Sequence, residues 1–255
     1  MKLIDPQTEP VFMKAIIFAH FGVGKTRLAG TAVDDPDMKD VLLIRAEDGS
    51  TTVRNKHITA THRVSSVSEV SDLFWKLANK HKDYKRFKTV IIDSGTALLQ
   101  TCVEEVVERN CKKDTKKDPD RVTIRDWGDA NFILTRLFRQ FFDLPMHVIV
   151  TALVREEFNT SDPEDRMARG PVNCMPDFNP KLARRIMAFA DFVWSLHIDK
   201  DGKTRKLLTQ PKGAWCAKTR GEEFAEALPE HVDNPTLPQL YQLLRKVCPQ
   251  KEAQA

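Results

Sequence analysis

Lys14-Ala15-Ile16-Ile17-Phe18-Ala19-His20-Phe21-Gly22-Val23-Gly24-Lys25-Thr26 is the stretch on which the rest of the chain turns. It opens as an apolar strand, breaks at a glycine turn, and continues through Gly-Lys-Thr into what reads as a helix. That layout is a phosphate-binding loop. Backbone N–H groups of Gly22, Val23 and Gly24 cradle phosphate oxygens, Lys25 reaches the β- and γ-phosphates, and the Thr26 hydroxyl joins a Mg²⁺ shell. Arg27 follows directly and is a further candidate for nucleotide contact. The position five residues before Gly24, commonly a first glycine, is Ala19. Alanine is tolerated there if the backbone keeps a negative φ.

With 255 residues, the chain is long enough for one substantial α/β domain. Its 41% hydrophobic and 30% charged residues suit a globular protein and argue against a disordered one. No apolar run approaches membrane-spanning length, and the start Met-Lys-Leu-Ile-Asp-Pro shows no apolar signal region. Five cysteines (Cys102, Cys111, Cys174, Cys216 and Cys248) are scattered, with no Cys-x-x-Cys pair. That pattern suits reduced thiols in a cytoplasm, not a disulfide frame or a zinc site. The net charge of +4 is too small to define a partner, so charge placement carries the information.

Strands and helices alternate outward from the loop. Val41 to Ala46 is an apolar strand. Ser66 and Glu69 form a capping-box pattern ahead of Val70, Leu73, Phe74 and Leu77 at helical spacing. Lys88 to Asp93 is a strand of the buried kind, and a helix starts near Thr96. Trp127 to Phe142 reads as a second helix leading into the strand Met146–Ala152. Asn179-Pro180 opens a further helix. Phe192–Ile198 and Lys203–Thr209 read as a β-hairpin about the turn 199–202, Trp215–Lys218 as one more strand, and Leu237–Val247 as a closing helix. The predicted fold is a mostly parallel sheet flanked by helices, with an antiparallel extension on its C-terminal side. It is read as one domain over 1–255, with a core at about 10–230 and a helix and frayed tail at 235–255.

Three strand ends supply candidate chemistry. Asp93 closes Thr-Val-Ile-Ile-Asp and takes the second Mg²⁺ position, the Walker B role. Glu47 follows Leu-Leu-Ile-Arg-Ala and is placed to orient or deprotonate an attacking water, or else is an exposed turn residue. Thr151 is either a polar sensor of the γ-phosphate or a structural threonine. In a parallel sheet such carboxyl ends gather on the ligand side.

A P-loop, a strand ending Ala-Glu, a Walker B strand ending Asp-Ser and a strand ending Val-Thr-Ala occur in this order in RecA-like ATPases, which the chain resembles over most of residues 10–230. Asp126-Trp127 and the late Lys218-Thr219-Arg220-Gly221 resemble the compact, phage-encoded RecA-like NTP-binding proteins, some of which act in single-strand annealing or recombination. The resemblance implies a catalytic Glu47. It also implies a homo-oligomer, ring or filament, in which Lys218 and Arg220 reach the neighbouring subunit's nucleotide.

Basic residues crowd one connecting loop: Arg109, Lys112, Lys113, Lys116, Lys117, Arg121 and Arg125. A second loop, about 155–179, carries Arg166 and Arg169, with Phe158 and Phe178 available for base stacking or for packing. These loops follow strands where RecA-like proteins place DNA-contacting loops, which points to single-stranded DNA. Two other readings stay open: an ATP-switched DNA-binding module with negligible turnover, and a small-molecule kinase with the 155–170 segment as its lid.

Overall fold

The computed structural model describes residues 10–47, 53–54 and 56–247. Ten strands form one sheet whose main path runs β10-β8-β7-β1-β5-β4-β2-β3. The six strands β7 (Phe192–Ile198), β1 (Lys14–Ala19), β5 (His147–Glu157), β4 (Thr89–Asp93), β2 (Val41–Arg45) and β3 (Ala60–Arg63) are parallel. Strands β6 (Asn173–Pro176), β8 (Arg205–Leu208), β9 (Lys218–Thr219) and β10 (His231–Asp233) add antiparallel pairs. The mostly parallel sheet with antiparallel C-terminal additions is therefore present as expected.

Strand β1 shows why the sheet needs cover on both faces. Its six residues are all buried. Ile16 and Phe18 enter one hydrophobic cluster, whereas Ala15, Ile17 and Ala19 enter the other, the period-two alternation of a pleated strand. The first cluster lies under α2 (Val67–Ala78), α3 (Gly95–Lys113), α4 (Ile124–Phe142) and α6 (Pro180–Phe189). The second lies under α1 (Lys25–Gly30) and α8 (Leu237–Val247). In α8 the buried residues Leu237, Leu240, Tyr241 and Leu244 share one face. Trp194 is wholly buried in this second cluster; truncating so large a core side chain costs about 3–5 kcal/mol.

Helix starts follow their caps. Ser66 accepts the Glu69 N–H, but the Glu69 carboxylate turns to Ser65 instead of completing the expected box. A full capping box occurs where none was expected. Thr123 and Asp126 exchange hydrogen bonds, so α4 starts at Ile124, three residues ahead of Trp127. Ser94 and Asn179 cap α3 and α6. Trp215 makes only isolated bridges, and the strand expected at 215–218 shrinks to Lys218–Thr219. The expected loop at 155–179 is instead an arm: β5 runs on to Glu157, α5 (Pro163–Arg169) sits at the tip, and β6 returns antiparallel. Helix α8 ends at Val247, and the expected tail beyond it lies outside the described residues.

Candidate nucleotide site

The parallel strands end together at Ala19, Arg45 and Asp93, and the P-loop leaves β1 at that edge. Gly22 and Gly24 adopt φ values of 73° and 107°, the left-handed region that glycine enters without a Cβ penalty. Ala19 is still β-strand, paired with Leu153, so the missing first glycine falls where no special backbone is needed. Val23 is buried, and Gly24 precedes α1 as its N-cap.

Lys25 folds back over its own loop, donating to the carbonyls of Ala19 (3.1 Å) and His20 (2.9 Å). Burial lowers its pKa, and the carboxylates of Asp93 and Glu47 pull in the opposite direction. Glu47 is exposed beyond the end of β2, where Ala46 N–H meets the Asp93 carbonyl at 2.9 Å. Thr26 donates to Asp93 Oδ2 at 2.8 Å, and Thr151 donates to the other carboxylate oxygen. Asp93 is 4% exposed, so these two hydroxyls fix a buried carboxylate. Hydroxyl and carboxylate oxygens on facing elements are hard donors of the type Mg²⁺ takes. With the glycine cradle beside them, the residues present fit a Mg-nucleotide.

Thr151 is expected as either a phosphate sensor or a structural threonine. It is wholly buried and spends its proton on Asp93, because β5 lies between β1 and β4. Arg27 is exposed on α1 and lines a cleft of about 240 Å³ with Gly24, Asp34, Arg205 and Asn234.

Lys218 and Arg220 lie at the opposite end of the sheet, since Thr219 pairs with Phe192, which in turn pairs with Ala15 near the start of β1. Lys218 donates to the carbonyls of Met187 (2.9 Å), Ala188 (3.3 Å) and Ala190 (2.7 Å). Arg220 bonds the Ala188 carbonyl and pairs with Asp191 at 2.8 Å. Both side chains, expected to point to a neighbour, are turned onto the bare carbonyls ending α6, where cations also meet the helix dipole.

The basic segments divide in a similar way. Lys117, expected among the DNA contacts, is mostly buried in an ion pair with Asp126 at 2.5 Å. Burial alone would raise the Asp126 carboxyl, but hydrogen bonds from Lys117, Thr123 and Asn110 outweigh it and hold the group well below the usual carboxylate range. Lys112, Lys113, Lys116 and Arg121 remain exposed, and three of the four line an open cleft of about 840 Å³ or its rim at Lys113, Lys116 and Arg121. On the arm, Arg166 lies over the Phe158 ring and donates to the Thr160 carbonyl, while Arg169 pairs with Asp165 one turn back. Phe178 is 1% exposed and packs edge-on against Phe138, which makes it a core residue.

Two features of the P-loop had no signal in the sequence. His20 meets Glu156 of β5 at 3.3 Å and the Trp215 ring edge-on. Arg205 of β8 donates from Nε to the Val23 carbonyl at 2.9 Å. Neither partner belongs to a motif, and both lie more than 130 residues away in sequence.

A glycine cradle, a loop lysine, and a threonine hydrogen-bonded to an aspartate two strands across define a P-loop nucleotide-binding core. A family model described as an AAA domain matches residues 12–221, most of the chain. The chain belongs to that family of P-loop ATPases. No curated protein matches it. Among solved structures, the RadB recombinase is similar, with 17% identity and a TM-score of 0.40 over 78% of this chain and 83% of that one. Among the described residues no helix is long and apolar enough to cross a membrane.

Proposed function

We propose that this chain binds Mg-ATP at the P-loop, hydrolyses it, and acts on single-stranded DNA as an assembly of identical subunits. Its setting would be the recombination, annealing or replication work of the phage-type RecA-like proteins it resembles. The observation that carries the ATPase reading is the convergence of Lys25, Thr26, Asp93 and Glu47 at one edge of the sheet. Lys25 would leave the Ala19 and His20 carbonyls for the phosphates, exchanging two neutral acceptors for a charged one. Thr26 and Asp93 would hold Mg²⁺, which neutralises phosphate charge when bound. Glu47, exposed and close enough to act on Lys25, would accept the proton of the attacking water.

The DNA reading is supported by exposed Lys112, Lys113, Lys116 and Arg121 and by Arg166 and Arg169 on the arm. Helix α3 spans 19 residues, so it carries the first group about 28 Å along its axis from Ser94. Phosphate release measured with and without single-stranded DNA, at several salt concentrations, tests both parts. The expected result is a basal rate that DNA raises and salt suppresses. A rate indifferent to DNA, with no salt-sensitive binding, removes the DNA part. Tight ATP binding without turnover in wild type would leave the ATP-switched module in its place.

A further inference from the structure

We infer that Arg205 is a positioning residue of the nucleotide site, holding the P-loop from outside. The inference rests on the P-loop reading above and names a residue that no motif marks. Arg205 opens β8, at the end of the β7–β8 hairpin that pairs Ile198 with Arg205, on the P-loop side of the sheet. Its Nε donates to the Val23 carbonyl at 2.9 Å. Its side chain also lies flat on Gly24: a Cβ placed there would come within 2.9 Å of Nε and 3.6 Å of Cδ. Its φ of 107° is what calls for glycine at 24; the arginine laid across it is a flexible side chain that a Cβ would only push aside.

A phosphate-binding loop works only if its N–H groups point inward, and each peptide that turns an N–H in turns the preceding carbonyl out. The Val23 carbonyl belongs to the same peptide as the Gly24 N–H. Fixing that carbonyl with a guanidinium therefore fixes the direction of a cradle amide. The brace is itself held. Arg205 N–H donates to the Asn234 side-chain oxygen at 3.1 Å, and Asn234 N–H donates to the Arg205 carbonyl at 2.6 Å. Asn234 sits at φ 45°, a conformation asparagine tolerates better than most residues. Beyond Nε, Arg205 borders the 240 Å³ cleft on the outer side of the loop, which it shares with Gly24, Arg27 and Asp34.

Binding of Mg-ATP by calorimetry, with thermal melts in parallel, tests the inference on wild type, Lys25→Ala, Arg205→Met, Arg205→Lys and Asn234→Ala. Losing a charge-assisted hydrogen bond that orders the site weakens binding by roughly tenfold or more. Arg205→Met is expected to show that loss with a melting temperature near wild type, and KM for ATP rises more than kcat falls. Arg205→Lys restores most of the affinity, and Asn234→Ala gives a smaller weakening in the same direction. A residue that only packs would lower the melting temperature and leave affinity alone. Arg205→Met binding within twofold of wild type overturns the inference while the P-loop reading stands. If Arg205→Met does not fold, Asn234→Ala decides: unchanged affinity overturns the brace. Wild type that binds no better than Lys25→Ala removes the P-loop reading, and the brace with it.

Discussion

The two ends of β1 each hold a lysine whose ammonium donates to backbone carbonyls, and they differ in what closes over it. At the entry, Lys14 is 8% exposed and donates to the carbonyls of Leu144 and Met146, beneath the ends of α4 and β5. Burial lowers its pKa to about 8, against the pull of Asp191 and Asp143. At the exit, Lys25 is only part-buried, and its acceptors belong to a glycine loop with an open edge. The same bond type is a fixed brace in one place and, on the proposed function, a releasable latch in the other. At the entry the alternative is a carbonyl left short of a donor; at the exit, on the proposed function, it would be a better, charged acceptor. Lys218 and Arg220 belong with Lys14, since they close the α6 end at the entry edge.

The largest effect separating the ends is expected from Lys25→Ala. Turnover falls by at least about a hundredfold, as for loss of a group that stabilises transition-state charge, and the melting temperature moves little. Lys14→Ala inverts that pattern. The part-buried Met146 carbonyl loses a donor and the Leu144 carbonyl keeps only the Met146 N–H, costing about 2 kcal/mol, which chemical denaturation reads as a lower midpoint with an unchanged slope. Activity per folded molecule is retained.

A pH series sharpens the contrast at the entry end. His147 is buried, accepts the Met13 N–H at Nδ1 (3.0 Å), and has its pKa lowered from 6.5 to about 4 by burial first and by Lys14 second. Its unfolded form takes up a proton near pH 6.5, before the folded form does. Stability is therefore fully present above that value and drains away as pH falls toward 4. Between pH 7 and 5 the loss is about 2 kcal/mol, and His147→Asn, which keeps an acceptor for Met13, abolishes that part of the slope. The smallest effect is that of Lys218→Ala, about 1 kcal/mol of stability from an uncapped helix end. A large fall in turnover without that loss would contradict its placement as a cap.

Most of the central sheet was legible because its signals are local. The stretches Val41–Ile44 and Val90–Ile92 within β2 and β4 are apolar throughout, as strands covered on both faces must be. The P-loop and the strand-end Asp93 were legible for the same reason. The α4 start was missed because Thr123 and Asp126 sit in a polar stretch where capping and loop residues look alike. The arm was missed because strand pairing between Val154 and Pro176 depends on a turn that carries its own helix.

By itself, the sequence determined the alternation of strand and helix, the glycine cradle at Gly22 and Gly24, and the chemical types available at the strand ends. Those depend on residues within one turn or one pleat of each other. Only the tertiary structure decided which charges are free. Thr151 is spent on Asp93, Lys117 on Asp126, Lys218 and Arg220 on α6, and Arg205 on Val23 across 182 residues. A side chain's role depends on the carbonyl or carboxylate that folding brings beside it, and that distance is not written in the chain.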